Sequence, residues 1–202
     1  MSWDPRTTDE ALHRAWREGD PSAADRLVDR YGPGLYNFFA SKVAGEADEL
    51  CRRTLAECAA EAGAVEPSGS PRSLRALLFA AARRQLLGSL GEPGGAPLDP
   101  GERSVADLVP DASEMMAAHA HQRRLQLALR QLPLDAQVAL ELRFWEDLSV
   151  AELATVLGVE VSTVAEHLAS AQRRLQAQLD AERELTDFTV DALMTEHERR
   201  RR

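Results

Sequence analysis

The sequence lacks the features that mark membrane and secreted proteins. No apolar run reaches the roughly 18 residues that a membrane helix needs. The opening MSWDPRTTDE has no basic stretch followed by an apolar one, as a signal peptide would. The chain has only two cysteines, Cys51 and Cys58, which are too few for a disulfide framework. We therefore expect a protein of a reducing, cytoplasmic compartment that does not insert into a membrane.

Basic charge is also scarce, and lysine is almost absent. Lys42 is the single lysine among 24 basic residues, and the net charge of the chain is −9. Residues 125–180 carry four arginines against eight carboxylates, which gives a net charge of −4. No segment forms a basic domain, and this argues against a general coat for nucleic acid.

Aromatic residues make up only 5% of the chain, and runs of β-branched residues are few. Alanine, leucine, arginine and glutamate are abundant, and this composition favours helices. With 44% hydrophobic residues the chain can bury a core, and its 202 residues suit one domain or two small ones. The three tryptophans, Trp3, Trp16 and Trp145, are expected to anchor the packing.

The distribution of turn residues predicts two small helical domains joined by a flexible linker. The stretch GEPGGAPLDPG at 91–101 has four glycines and three prolines, a composition typical of linkers. We predict a first domain over 7–90, a linker over 91–112, a second domain over 113–180 and a C-terminal extension over 181–202. The predicted fold class is all-α.

Capping and breaking residues place the helices of the first domain. Thr7 and Glu10 have the spacing of a capping box. Asp20 followed by Pro21 predicts the start of the second helix. Gly32 is predicted to end that second helix, before a further apolar stripe at helical spacing.

The second domain contains a helix-turn-helix pattern. Ser149 and Glu152 have the spacing of a capping box and open the short helix VAELATVL, which Gly158 closes. After the turn GVEV, a longer helix carries its apolar residues on one stripe. This succession of a short helix, a glycine turn and a longer helix indicates a helix-turn-helix domain.

These motifs resemble those of a known family. The segment LRQLPLDAQVALELRFWEDLSVAELATVLGVEVSTVAEHLASAQRRLQAQL is similar to the promoter-reading C-terminal domain of bacterial RNA polymerase sigma factors, in the extracytoplasmic-function group. The segments ALHRAWREGDPSAADRLVDRYGPGLYNFF, ADELCRRTLAE and SLRALLFAAARRQLLGSL are similar to the first domain of that group. Its members have two domains joined by a flexible linker, which is the layout predicted here.

The resemblance implies a sigma factor that directs RNA polymerase core to specific promoters for transcription initiation. It implies no catalysis by this chain and no cofactor, because the polymerase performs the chemistry. The implied partners are RNA polymerase core, promoter DNA and an anti-sigma or other regulatory protein. A metal site is not expected, because Cys51 and Cys58 share a helix face without a further cysteine or a suitably placed histidine.

The resemblance also assigns binding residues. In the family, the helix after the turn enters the major groove at the −35 element, while the first domain reads and melts the −10 element. The DNA-contacting positions are then Ser162, Thr163, Glu166, His167, Ser170, Arg173 and Arg174, together with Arg83 and Arg84 of the melting helix. The polymerase-contacting positions are Asp48, Glu49, Arg52 and Arg53.

The sequence departs from the family where DNA contacts are expected. Ala165, His167, Ser170 and Gln172 stand where the family usually has lysine or arginine, and Glu166 adds a negative charge. Each missing cation removes one phosphate contact and the counterion release that accompanies it. In the acidic helix, Arg52 and Arg53 replace a usual Gln-Glu pair.

These departures leave alternatives open. One is a sigma-like interaction protein that keeps the fold but has lost promoter recognition, and another is a DNA-binding regulator that uses only the second domain. The helix after the turn could be an ordinary packing helix, and Arg83 and Arg84 could form a solvated face. The acidic residues Asp48 and Glu49 could simply be favourable charges at a helix start.

Overall fold

The computed structural model describes residue 4 and residues 6–43, 45–60, 65–91, 99–108 and 120–200. Within these ranges the chain forms nine α-helices and no β-strand beyond two isolated bridges. The all-α class predicted from the sequence is confirmed. The helices are α1 (Asp9–Arg17), α2 (Pro21–Ala40), α3 (Ala47–Ala60), α4 (Leu74–Leu90), α5 (Val105–Leu108), α6 (Ala120–Arg130), α7 (Leu134–Phe144), α8 (Val150–Leu157) and α9 (Val161–Arg200).

The starts of the first two helices differ in how they are capped. The N-cap of α1 is Thr8, whose side chain makes no capping hydrogen bond, so the capping box predicted at Thr7 does not form. The start of α2 is as predicted, because Asp20 accepts a hydrogen bond from the Ser22 N–H at 2.9 Å and Pro21 occupies the first turn. Between them, Gly19 has a φ of 91°, which suits glycine at a helix end.

The prediction that Gly32 ends the second helix is wrong. The helix α2 continues through Gly32 and Pro33 to Ala40. Beyond the proline, Leu35 and Phe39 are fully buried, and they continue the stripe that Leu27 begins. Burial of these side chains outweighs the poor helix propensity of the glycine and the proline, because tertiary packing overrides local preference.

The helix-turn-helix predicted in the second domain is present. The Ser149 side chain accepts a hydrogen bond from the Glu152 N–H, and the Glu152 carboxylate accepts one from the Ser149 N–H, which completes the capping box of α8. Gly158 ends α8 with a left-handed φ of 69°. The backbone of α9 remains helical through 187–194, within the predicted C-terminal extension.

A single cluster of buried apolar residues spans the two predicted domains. It includes Phe39 and Phe79 from the first, and Val138, Leu153 and Val164 from the second. The helix α4 packs closely against α8, so the melting helix of the resemblance contacts the helix-turn-helix directly. The two domains are therefore docked on one another.

Part of the predicted linker takes part in this packing. Val105, in the short helix α5, is fully buried in the shared cluster. The carbonyls of Arg103 and Pro100 accept hydrogen bonds from the N–H groups of Leu134 and Asp135, at 2.8 and 2.9 Å. The remainder of the predicted linker, at 92–98 and 109–112, lies outside the described residues. No helix within the described ranges is both long and apolar enough to cross a membrane.

Candidate nucleic-acid interface

The start of α9 presents a polar face to solvent. Ser162, Glu166 and His167 are exposed, and Thr163 is partly buried. Val164 is fully buried in the core and fixes the rotation of the helix, so these residues point outward. The residues assigned to base contacts therefore share an accessible face.

This face carries little positive charge. Residues 161–172 contain no lysine or arginine, and Glu166 is negative. The first cations are Arg173 and Arg174, both exposed, about 15 Å along the helix from Thr163 at 1.5 Å per residue. Ser170 is partly buried and lies between them and the helix start. Phosphate contacts from this helix are therefore confined to its later turns.

The two arginines of α4 that the resemblance assigns to DNA, Arg83 and Arg84, are both engaged within the chain. Arg83 donates from Nε and Nη2 to the two carboxylate oxygens of Asp135 on α7, at 2.7 and 2.9 Å. Arg84 donates from the same two nitrogens to Glu57 on α3, at 2.8 and 2.5 Å. The first pair joins the two domains, whereas the second lies within the first domain.

The acidic helix α3 partly neutralises its own charge. Asp48 is exposed. Glu49 forms ion pairs with Arg53 at 2.7 Å and with Arg52 at 2.5 Å. The hydrogen bond from Arg53 and the positive charge of Arg52 lower the pKa of the Glu49 carboxyl. The four positions assigned to polymerase binding therefore lie together on the first two turns of one helix.

Among the described residues, three ion pairs cross between the domains, and sequence reasoning missed them. Lys42 pairs with Glu141, Arg75 with Glu152, and Arg83 with Asp135. In each pair the cation belongs to the first domain and the carboxylate to the second. The sequence signal for these pairs was the excess of carboxylates over arginines in residues 125–180. Which cation each carboxylate meets depends on how the two domains pack.

Glu152 is the most heavily bonded of these carboxylates. It is fully buried and accepts hydrogen bonds from Gly69 N at 2.9 Å, Ser73 Oγ at 2.5 Å and Arg75 Nε at 2.6 Å, in addition to the capping bond from Ser149. Burial alone raises the pKa of this carboxyl, but the hydrogen bonds from Arg75, Ser73, Ser149 and Gly69 outweigh it and lower the pKa to about 2. One charged side chain therefore caps α8 and holds the loop that precedes α4.

Lys42 is completely buried at the end of α2. Its ammonium donates to the Phe38 carbonyl at 2.9 Å, to Ser41 Oγ at 3.0 Å and to Glu141. Burial lowers the pKa of this lysine, and the charge of Glu141 opposes that shift. The single lysine of the chain thus lies in the contact between the domains rather than on a surface.

The second domain also carries an exposed apolar groove of about 450 Å³ between α6, α7 and α9. Phe144 and Trp145 line it and are 61% and 56% exposed. The prediction that Trp145 anchors the core is therefore wrong, whereas Trp16 does pack against the core. Trp3 lies outside the described residues. The other residues of the groove are Leu125, Leu129, Leu140, Gln172, Leu175, Gln176 and Leu179.

The two cysteines lie on α3. Cys58 is buried in the core, and Cys51 is partly buried, which raises the pKa of its thiol to about 11. In the part of the chain that the structure describes, no group of three or more histidine, cysteine and acidic side chains is placed to hold a metal ion.

Comparison with known proteins identifies the helix-turn-helix. Residues 122–175 match the family described as sigma-70, region 4. The match covers α7, α8 and the exposed start of α9, so the predicted resemblance is confirmed where its motifs are clearest.

The fold as a whole is also shared with a solved structure. The structure of CnrH in complex with the cytosolic domain of CnrY contains a similar chain, with a TM-score of 0.61 and 22% sequence identity. The match covers 87% of this chain and 99% of that chain, and it shows a common fold. A search of curated protein sequences gives no significant match.

Proposed function

We propose that this chain is a sigma factor, which directs RNA polymerase core to specific promoters for transcription initiation. It reads two promoter elements, one with each domain, and acts only in complex with the core enzyme. The observation that carries the proposal is the formed helix-turn-helix, in which the capping box of Ser149 and Glu152 and the left-handed Gly158 hold α9 with its first turns exposed. The residues for base and phosphate contacts are those on that face, from Ser162 to Arg174. The polymerase performs the chemistry.

DNA reading by the second domain depends on attachment to the polymerase. Residues 125–180 have a net charge of −4, and the exposed face of α9 has its two arginines only in its later turns. Non-specific DNA binding with a Kd of about 10⁻⁴–10⁻⁶ M usually needs several cations. Within a polymerase complex, tethering supplies an effective concentration in the millimolar range. Weak contacts between the second domain and DNA are then sufficient for promoter binding.

Polymerase binding is proposed for the first turns of α3. Asp48 and Glu49 provide exposed or partly exposed negative charge, and Arg52 and Arg53 flank them. A basic surface on the polymerase complements Asp48 directly and competes with the arginines for Glu49.

An anti-sigma or other regulatory protein is the third proposed partner, and the proposed compartment is the cytoplasm. The chain similar to this one is found in complex with a cytosolic domain, that of CnrY. The exposed groove that contains Phe144 and Trp145 offers the apolar surface that a protein partner buries.

The second candidate function is a sigma-like interaction protein that has lost promoter recognition. The absence of lysine and arginine from residues 161–172 favours it. Run-off transcription with purified core polymerase on a library of promoter fragments distinguishes the two. The proposed function predicts transcripts with defined start sites that depend on this chain. Co-purification with polymerase without any such transcript supports the second candidate.

A further inference from the structure

The first turns of α9 present short side chains around one carboxylate. Ser162, Glu166 and Ala169 follow one another at intervals of about one turn, so they share one side of the helix. Val164, on the other side, is fully buried. We propose that Glu166 reads a cytosine at the −35 element, where its carboxylate accepts a hydrogen bond from the N4 amino group of one C·G pair. The inference rests on the proposed function through the placement of α9 in the major groove.

The Glu166 carboxylate is available for such a contact. Its side chain is exposed, and within the described ranges it makes no ion pair and no hydrogen bond. In the same domain, the carboxylates of Asp135, Glu141 and Glu152 are each paired with a cation. A DNA base that bonds to Glu166 therefore has no partner within the described part of the chain to displace.

The neighbours of Glu166 allow the helix to approach the base edges closely. Ser162 and Ala165 are exposed and Ala169 is partly buried, and all three have short side chains. The major groove is wide enough to admit an α-helix. Because the Glu166 side chain is the longest of this group, its oxygens extend furthest from the helix axis. They are the atoms of these first turns that meet a base edge.

A carboxylate discriminates among the bases because, when ionised, it only accepts hydrogen bonds. In the major groove, guanine presents the acceptors N7 and O6, and thymine presents the acceptor O4 and a methyl group. Adenine presents its N6 donor beside the acceptor N7, which repels a carboxylate. Cytosine presents its N4 donor with no acceptor of the same base beside it in that groove. Cytosine is therefore the base that the Glu166 carboxylate favours.

The negative charge of Glu166 also makes a mismatch costly. A carboxylate close to the phosphates weakens binding to every sequence, and a penalty common to all sequences does not affect the choice among them. A base pair without a suitably placed donor leaves the desolvated carboxylate unpaired, which costs more for a charged group than for a neutral one. Because tethering to the polymerase supplies the effective concentration, this face can lose general affinity and still select a sequence.

The test uses the full chain and a library of promoter duplexes with randomised −35 regions. Duplexes bound by the chain with core RNA polymerase, and by the chain alone at low salt, are sequenced, and run-off transcription from the same library detects chain-dependent transcripts. Wild type is compared with Glu166→Gln, with Glu166→Ala and with the control Asp180→Asn. The control removes one negative charge from an exposed side chain about 21 Å further along α9. Circular dichroism checks that each variant keeps its helicity.

We expect wild type to favour cytosine over the other bases about tenfold at one position of the selected duplexes. The Glu166→Ala variant should accept all four bases at that position and keep the other preferences. The Glu166→Gln variant should favour adenine there, because an amide donates to N7 and accepts from N6. The Asp180→Asn variant should select the same sequences as wild type.

Identical base preferences in wild type and Glu166→Ala would overturn the inference, and so would the loss of a preference for a base other than cytosine. Run-off transcription reports separately on the proposed function. Chain-dependent transcripts with base preferences that Glu166→Ala leaves unchanged would support the function and contradict the reading of cytosine. Selection of cytosine through Glu166 without any chain-dependent transcript would do the opposite. A wild-type chain that selects no sequence in either format would contradict both.

Discussion

At the scale of the residue, Glu152 shows how one side chain can serve local and global structure. Its carboxylate closes the capping box of α8 and also accepts hydrogen bonds from the loop and the start of α4. The sequence predicted only the first role, since capping spacing is local. The second role depends on Arg75 and Gly69, which are some 80 positions away and are brought near only by docking.

Replacement of Glu152 by glutamine should lower the free energy of unfolding by about 2 kcal/mol at pH 7, because a buried charge-assisted network loses its charge. The pKa of this carboxyl is about 2 in the folded chain, against an ordinary value of 4.5. The stabilisation is therefore complete above pH 4.5 and is lost as the pH falls through about 2. Urea unfolding at pH 7 and pH 3 measures both effects.

The exposed Glu160→Gln variant is the control for that measurement and should have no comparable effect at either pH. A Glu152→Gln chain as stable as the wild type at pH 7 would show that the network does not stabilise the fold. A stability difference that grows as the pH is lowered would contradict the direction of the pKa shift.

At the scale of the element, α9 and α3 carry the two proposed interfaces. Both positions followed from sequence motifs, and the structure places the assigned residues on accessible helix faces. The same local reasoning failed for α2, where Gly32 predicted an end that burial of Leu35 and Phe39 overrides. Sequence motifs predict structure well where neighbouring residues bond to each other, as in the capping box of α8. They predict it less well where residues distant in the sequence supply the packing.

For α9, Glu166→Lys should strengthen DNA binding across sequences. Replacing a negative charge by a positive one on the exposed face adds about one phosphate contact, which steepens the salt dependence of log K by about 0.9. Fluorescence anisotropy of the full chain with labelled duplexes over a range of salt concentrations measures this slope. The control Asp180→Lys makes the same charge change on an exposed residue near the end of the assigned region. Equal slopes for the two variants would remove Glu166 from the DNA interface.

For α3, reversing the charges of Asp48 and Glu49 to lysine should weaken capture of core RNA polymerase at least tenfold, because two attractive contacts become repulsive. Pull-down with immobilised core polymerase at several concentrations gives the affinity. The exposed pair Asp25 and Asp29 on α2, changed in the same way, is the matched control. If both double variants lose the same affinity, the effect is one of net charge and not of this helix.

At the scale of the whole molecule, the docked domains are the main feature that the sequence did not predict. The shared apolar cluster, α5 within the expected linker and the three ion pairs all belong to the contact between domains. Buried side chains such as Phe79 and Val138 were visible as apolar stripes, but a stripe does not reveal whether it packs within its own domain or across to the other.

The predicted linker and the docked core together give a specific expectation for limited proteolysis. The glycine and proline content of 91–98 favours cleavage there, and the two fragments should then remain associated, since they share a buried core. Size-exclusion chromatography at moderate salt should show one peak that contains both fragments. Fragments that separate at once would mean that the interdomain contact does not hold in solution.

The sequence by itself determined the helical class, the helix-turn-helix with its capping box and glycine turn, and the similarity of residues 122–175 to sigma-70 region 4, because these depend on residue order over a few turns of chain. It also located the candidate faces of α3 and α9. Only the tertiary structure decided that Arg83 bonds to Asp135, that Glu152 joins two helix starts and that Lys42 is buried. Those contacts connect residues from about 50 to 100 positions apart, and no local pattern encodes which carboxylate a given cation will meet.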